Sequence, residues 1–92
     1  MNKKVSIILS TYNDALVIED TINQIFSNLG DVEIILVDDN STDGTIDLVK
    51  NVAKDYDNIK LFVRQGLKKN LANSINLGIQ KSKYENKRKT KI

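Results

Sequence analysis

The chain has 92 residues, enough for one small domain or part of a larger one, and for only a modest core. Its formal charge of +2 is unevenly spread: the first 80 residues carry 8 basic and 11 acidic side chains, the last 12 carry 6 and 1. With no Cys and no His, a disulfide framework, a thiolate or imidazole metal site and a histidine base are all excluded, so any metal chemistry would have to use oxygen ligands.

In chain order, "KVSIILS" (4–10) is a continuous β-branched run, as expected for a strand covered on both faces, and the polar cluster Thr11 to Asp14 stops it. Ile18, Ile22, Ile25, Phe26 and Leu29 then recur at helical spacing, which predicts a helix over 15–28 with Asp14 as N-cap and Gly30 as the stop. A second strand, "VEIILV" (32–37), leads through a turn rich in Asp, Asn, Ser and Gly. The next helix starts near Gly44, capped by Asp43 or Thr42, with Ile46, Val49, Val52, Ala53 and Tyr56 on one face. "IKLFV" (59–63) is the third strand, and a polar loop precedes a third helix, 71–82, expected to pack through Leu71, Ala72, Ile75 and Ile79. The order βαβαβα implies an α/β architecture with a parallel sheet and right-handed crossovers, of the nucleotide-binding kind. No apolar run approaches the roughly 18 residues of a membrane span, and the apolar stretch in "MNKKVSIILS" is too short for a signal peptide, so a cytoplasmic location is expected.

In such sheets ligands collect outside the carboxyl ends of the strands, where this sequence places "STYND" and "DDNSTDG". A half-shielded carboxylate there is costly unless it accepts hydrogen bonds, and a nucleoside offers donors in its base N–H groups and ribose hydroxyls. Asp39 is the candidate for that contact. The competing reading is that Asp38 and Asp39 only cap the following turn, but a second polar strand end beside them favours a cleft. A dinucleotide-binding domain would need Gly-x-Gly-x-x-Gly after the first strand, and "STYNDA" has no glycine. A sugar nucleotidyltransferase would carry a Gly-rich, Arg-containing loop there, also absent. A phosphorelay receiver domain has its acid pair after the first strand and an acceptor Asp after the third, whereas here the pair follows the second and the third ends in "VRQG".

"VSIILSTYND" and "EIILVDDNSTDGT" resemble the motifs "VSIIIPTYNE" and "EIIVVDDGSTDGT" of the family 2 glycosyltransferases of the GT-A fold. "VRQGLKKNLANSINLGIQKS" is similar to the segment after that family's third strand, and the combination looks most like polyprenol-phosphate mannosyl- and glucosyltransferases. The resemblance runs from Val5 to about Ser82 and implies a partial GT-A fold, three-layered and Rossmann-like. It implies that Thr11, Tyr12 and Asp14 line a nucleoside pocket, that Asp39 binds base or ribose, and that Arg64 and Lys69 approach the diphosphate of a UDP- or GDP-hexose. Asp38 is expected to be structural, accepting hydrogen bonds from "NSTDG". For Tyr12 the alternative is an aromatic packed beneath the turn; for Arg64 and Lys69 it is ordinary solvated charge. Ser10 stands where the family usually has Pro, which loosens the turn and removes no functional group.

The family reaction also needs an acidic motif at the end of a fourth strand to hold Mg²⁺ or Mn²⁺ against the diphosphate, and a later carboxylate to deprotonate the acceptor hydroxyl. Where that strand should start the sequence reads "KYENKRKTKI", so no catalytic residue and no metal ligand is assigned. The expectation is a donor-binding part over 1–82, truncated before the acidic motif and inactive alone, followed by a basic, disordered tail over 83–92. The alternative is a non-catalytic nucleotide-binding or interaction remnant. No nucleic-acid partner is expected and membrane contact is left open. Without a fourth strand, residues 5–9 would form an apolar sheet edge prone to self-association.

Overall fold

The computed structural model describes residues 4–65 and 70–91. The elements are β1 (Val5–Thr11), α1 (Ile18–Leu29), β2 (Val32–Asp38), α2 (Thr45–Ala53), β3 (Ile59–Val63), α3 (Leu71–Lys81) and β4 (Asn86–Lys91). All four strands run parallel, in the order β3-β2-β1-β4. Each crossover packs a helix on the sheet, giving three layers. Ile7, Leu9, Ile34 and Leu36 meet Ile18 and Ile22 of α1 and Val49 and Val52 of α2 on one face. Ile8, Ile35 and Val37 meet Ile75, Leu77 and Ile79 of α3 on the other. The continuous apolar runs of β1 and β2 follow from this coverage, since a central parallel strand is buried on both sides.

The expected strands and helices are all present, and their differences from expectation have local causes. α1 starts at Ile18, three residues late, because Asp14 turns back: its carboxylate accepts the Tyr12 N–H (2.9 Å), leaving Val17 at the N-cap position without a side-chain cap. The Asp14 carbonyl instead accepts from Val17 and Ile18. α2 is entered through Gly44, whose φ of 98° lies in the left-handed region that suits glycine, and Asp43 accepts the Thr45 N–H (3.1 Å). α3 is rolled relative to the expected face. Leu71 (43% exposed) and Ala72 face solvent, while Ser74 and Gly78 are buried against the sheet. At Gly78 the approach is so close that a Cβ would collide with Cγ2 of Ile8.

The larger correction concerns the C-terminal segment. Residues 86–91, expected to be disordered, form β4 and pair with β1 from Val5↔Asn86 to Ser10↔Lys91. β1 is therefore an interior strand, and the expected self-association through residues 5–9 has no free edge to use. Charge-rich sequence is poor strand material, but the unpaired side of an apolar β1 supplies a ladder that local propensity does not register. Among the described residues, no helix is long and apolar enough to cross a membrane.

The chain reaches β4 through a buried polar anchor at the amino ends of the strands. Glu33 accepts from the Ser6 hydroxyl (2.6 Å) and the Lys83 N–H (2.7 Å) and pairs with Lys60 (3.3 Å), while Ser6 Oγ accepts the Tyr84 N–H (3.1 Å). Burial pushes the Glu33 carboxyl up, but the bonds from Ser6, the Lys83 backbone and Lys60 together outweigh it and hold the group below its ordinary value of 4.5. A depressed carboxyl stabilises the fold fully above its unfolded value and loses that contribution as pH falls through the lower folded one. The wild-type melting temperature should therefore drop on acidification below about pH 4.5, and Glu33→Gln should flatten that limb. At pH 7 the same variant should cost about 1–2 kcal/mol, or about 4–16 °C in Tm for a domain of this size. Melts by circular dichroism between pH 3 and pH 7 check both; parallel acid limbs would exclude Glu33 as the responsible group.

Candidate functional site

Side chains alternate across a strand, so the adjacent carboxylates at the end of β2 are delivered to opposite faces of the sheet. Asp38 goes to the side of α1 and α2. It is fully buried: Oδ1 accepts the Thr11 hydroxyl (2.7 Å) and the Ser41 hydroxyl (2.6 Å), and Oδ2 accepts the Ser41 N–H (2.7 Å). Thr11 and Asp38 are partners in the β1–β2 ladder, so this pair seals the end of that register.

The two polar turns are then cross-linked. The Asn13 N–H donates to Ser41 Oγ (2.8 Å) and the Thr42 N–H to Asn13 Oδ1 (2.9 Å), with Asn13 and Asn40 both at positive φ. The Asp14 N–H donates to Thr45 Oγ1 (2.9 Å) and the Ala15 N–H to Asp43 (3.1 Å). The Thr45 hydroxyl chiefly, with the Ala15 and Thr45 N–H groups, holds the Asp43 carboxyl below its ordinary range. These bonds satisfy turn N–H groups that would otherwise compete for water, and they hold the two loops as one rim.

Asp39 goes to the side of α3 and is 5% exposed. Oδ1 accepts from Arg64 Nη1 (2.8 Å) and the Ser74 hydroxyl (2.7 Å), and Oδ2 from the Asn70 N–H (3.0 Å). Arg64 is itself 8% exposed; its N–H continues the ladder to the Asp38 carbonyl (2.8 Å), and Nη1 also reaches the Asn70 carbonyl (3.2 Å) and Ser74 Oγ (3.1 Å). The cluster thus joins the ends of β2 and β3 to the start of α3. A buried ion pair tolerates its desolvation only when further hydrogen bonds complete it, and this one has them.

The predicted site residues therefore separate. Asp39 and Arg64 come together, with Arg64 in a buried ion pair rather than as solvated charge. The Thr11 hydroxyl is committed to Asp38, on the opposite face from Asp39. Tyr12 stands at the rim, 39% exposed rather than packed under the turn. Asp14 is half-buried with its carboxylate on the Tyr12 N–H. Lys69 lies outside the described residues. Asn70 and Ser74 were not anticipated. Asn70 carries the usual cap signal, an Asn directly before a helix, and its side chain accepts the Asn73 N–H (3.0 Å). Ser74 gives no such signal, being a polar residue on the inner helix face.

A carboxylate offers about four lone-pair sites, and the described residues fill three at Asp39, leaving room on Oδ2 for one further donor. Among the described residues, no three His, Cys, Asp or Glu side chains are grouped to hold a metal ion.

Known proteins share this sequence pattern and this fold. The sequence pattern of the family described as Glycosyl transferase family 2 matches residues 6–85. GalNAc(5)-diNAcBac-PP-undecaprenol beta-1,3-glucosyltransferase of Campylobacter jejuni is 37% identical over 83 residues, covering 89% of this chain and 27% of that protein. The fold superposes on S. aureus TarS 1–349 with a TM-score of 0.84 at 23% identity, over 96% of this chain and 27% of that one. The mannosyltransferase PcManGT from Pyrobaculum calidifontis, solved with GDP-Man and Mn2+, gives 0.72 at 26%, over 86% and 24%. The chain thus spans about a quarter of the length of these relatives, within their GT-A fold. By the extent of the match and the identity of its relative, it belongs to Glycosyl transferase family 2.

Proposed function

We propose that this chain is the donor-binding part of a glycosyltransferase that, in complete form, transfers a hexose from a UDP or GDP donor. The observation that carries the reading is Asp39: a buried, charge-balanced carboxylate at the carboxyl end of the sheet, with capacity for one more donor and the exposed Tyr12 at the rim. A base N–H or ribose hydroxyl suits that capacity. The complexes of TarS with UDP and of PcManGT with GDP-Man support the ligand class. A cytoplasmic location remains part of the proposal.

Residues 1–92 by themselves are proposed to bind without transferring. Attack at the sugar carbon requires a base for the acceptor hydroxyl and counter-charge for the departing diphosphate. Asp38 and Asp39 are engaged by protein donors, and β4, "NKRKTK", contains no carboxylate. The Mn2+ of PcManGT therefore has no matching donor set among the described residues here, and a non-catalytic nucleotide-binding chain is the second reading.

Asp39→Asn should weaken UDP or GDP binding about ten- to a hundredfold, the cost of removing one charged hydrogen-bond partner. Asn is preferred to Ala because stripping the carboxylate altogether would leave Arg64 buried without a partner. Asp38→Asn should act mainly on Tm and weaken binding less. Calorimetric titrations compare the two; equal losses would reduce the acid pair to a structural turn, and a wild-type chain silent at millimolar nucleotide would end the donor-binding reading.

Incubated with UDP- or GDP-hexoses, with or without Mn²⁺, the purified chain should release no nucleoside diphosphate above background. Turnover in a coupled assay would place catalytic groups within residues 1–92.

A further inference from the structure

Resting on the nucleoside-binding reading of Asp39, we propose that Ser74 is its positioning residue, a buried hydroxyl that donates to Oδ1 and so keeps the remaining acceptor site on Oδ2 for a ligand donor. Ser74 Oγ lies 2.7 Å from Asp39 Oδ1 and 3.0 Å from the Asn70 carbonyl oxygen, and receives Arg64 Nη1 at 3.1 Å. A hydroxyl has one hydrogen, so it serves one of these two acceptors at a time. The residue is fully buried, which excludes water as a substitute partner. The Asn70 carbonyl also accepts Arg64 Nη1 (3.2 Å) and the Ser74 N–H (3.0 Å), so it stays satisfied whichever way the hydroxyl points.

Ser74, Arg64 and Asn70 fill three of the acceptor sites of Asp39, two of them on Oδ1. By holding Oδ1 on the protein, the Ser74 hydroxyl keeps the carboxylate oriented with its remaining acceptor site on Oδ2, where a base N–H or ribose O–H would donate. The helix supplies the geometry: one turn beyond Ser74, Gly78 lets α3 lie against Ile8, which holds Oγ within reach of the end of β2.

The test compares wild type with Ser74→Ala, Ser74→Cys and Ser74→Thr, titrating UDP, GDP and inorganic pyrophosphate into the 92-residue chain. Ala and Cys should weaken UDP and GDP binding about tenfold, because a methyl has no donor and a thiol is a weak one. Thr should restore it. Pyrophosphate affinity should be the same in all four proteins, since Ser74 acts only on the carboxylate at the nucleoside end; a general loss of packing would lower it too. Ala leaves no overpacking at this buried position and Cys adds less bulk than Thr, so the proposal stays open to refutation if Thr does not fold. Nucleotide affinity unchanged in Ala and Cys, or lost in parallel with pyrophosphate, overturns the role of Ser74. A wild-type chain that binds neither nucleotide overturns the donor-binding reading beneath it.

Discussion

Successive side chains of a strand must point to opposite faces, and two neighbouring carboxylates at the end of β2 cannot escape that rule. Everything at the carboxyl edge follows from it. Asp38, sent towards α1 and α2, meets Thr11 and Ser41 and becomes the knot of the two turns. Asp39, sent towards α3, meets Arg64, Asn70 and Ser74 and ties the ends of β2 and β3 to the start of α3. One dipeptide thus ties down the turns on one side of the sheet and the third crossover on the other, with no insertion or bulge to separate the tasks.

The division has an energetic logic. Asp38 is satisfied by hydroxyls and a backbone N–H, so it needs no buried cation on the face that holds the larger core. Asp39 takes an arginine, and burying that pair is costly unless geometry and further bonds compensate. Arg64 earns its position from the backbone: its N–H continues the β2–β3 ladder onto the Asp38 carbonyl, so the chain fixes its Cα before the side chain turns inward. The cost of dehydrating Arg64 is thereby offset by contacts that also close the loop onto the start of α3.

β1, β2 and β3 were legible to within a residue: β1 and β2, buried on both faces, carry the continuous apolar runs Ile7–Leu9 and Ile34–Val37, and the edge strand β3 still gathers Ile59, Leu61, Phe62 and Val63 in five residues. Asp38 and Asp39 were legible because their position at a strand end has few physical outcomes. The start of α1 was not, since Asp14 has the right side chain for a cap and bonds backwards to Tyr12, a choice fixed by Thr45, 31 residues away. The inner face of α3 was misjudged for a related reason. Periodicity weighs apolarity, whereas close approach selects Gly78 for its missing Cβ and Ser74 for its hydroxyl. β4 was hidden because no local feature of "NKRKTK" favours a strand; only the open side of β1 does. In each case the missing information lay in a partner distant in sequence.

The two acidic outposts of β2 on the α3 face, Glu33 and Asp39, complete the picture. Each accepts a backbone N–H from one end of the third crossover: Asp39 from Asn70, just before α3, and Glu33 from Lys83, just after it. Six strand residues separate the carboxylates, about 20 Å at 3.3 Å each, and thirteen residues separate the amides, about 20 Å at the helical rise of 1.5 Å. The match is what lets one strand hold an antiparallel helix at both ends. The ends are not equivalent, since a carboxylate is favoured beside a helix N-terminus and disfavoured beside a C-terminus. Glu33, at the disfavoured end, is the one that recruits Ser6 and Lys60 as additional support. Asp39, at the favoured end, sits where the dipole itself contributes, beside the Asn70 N–H that opens α3.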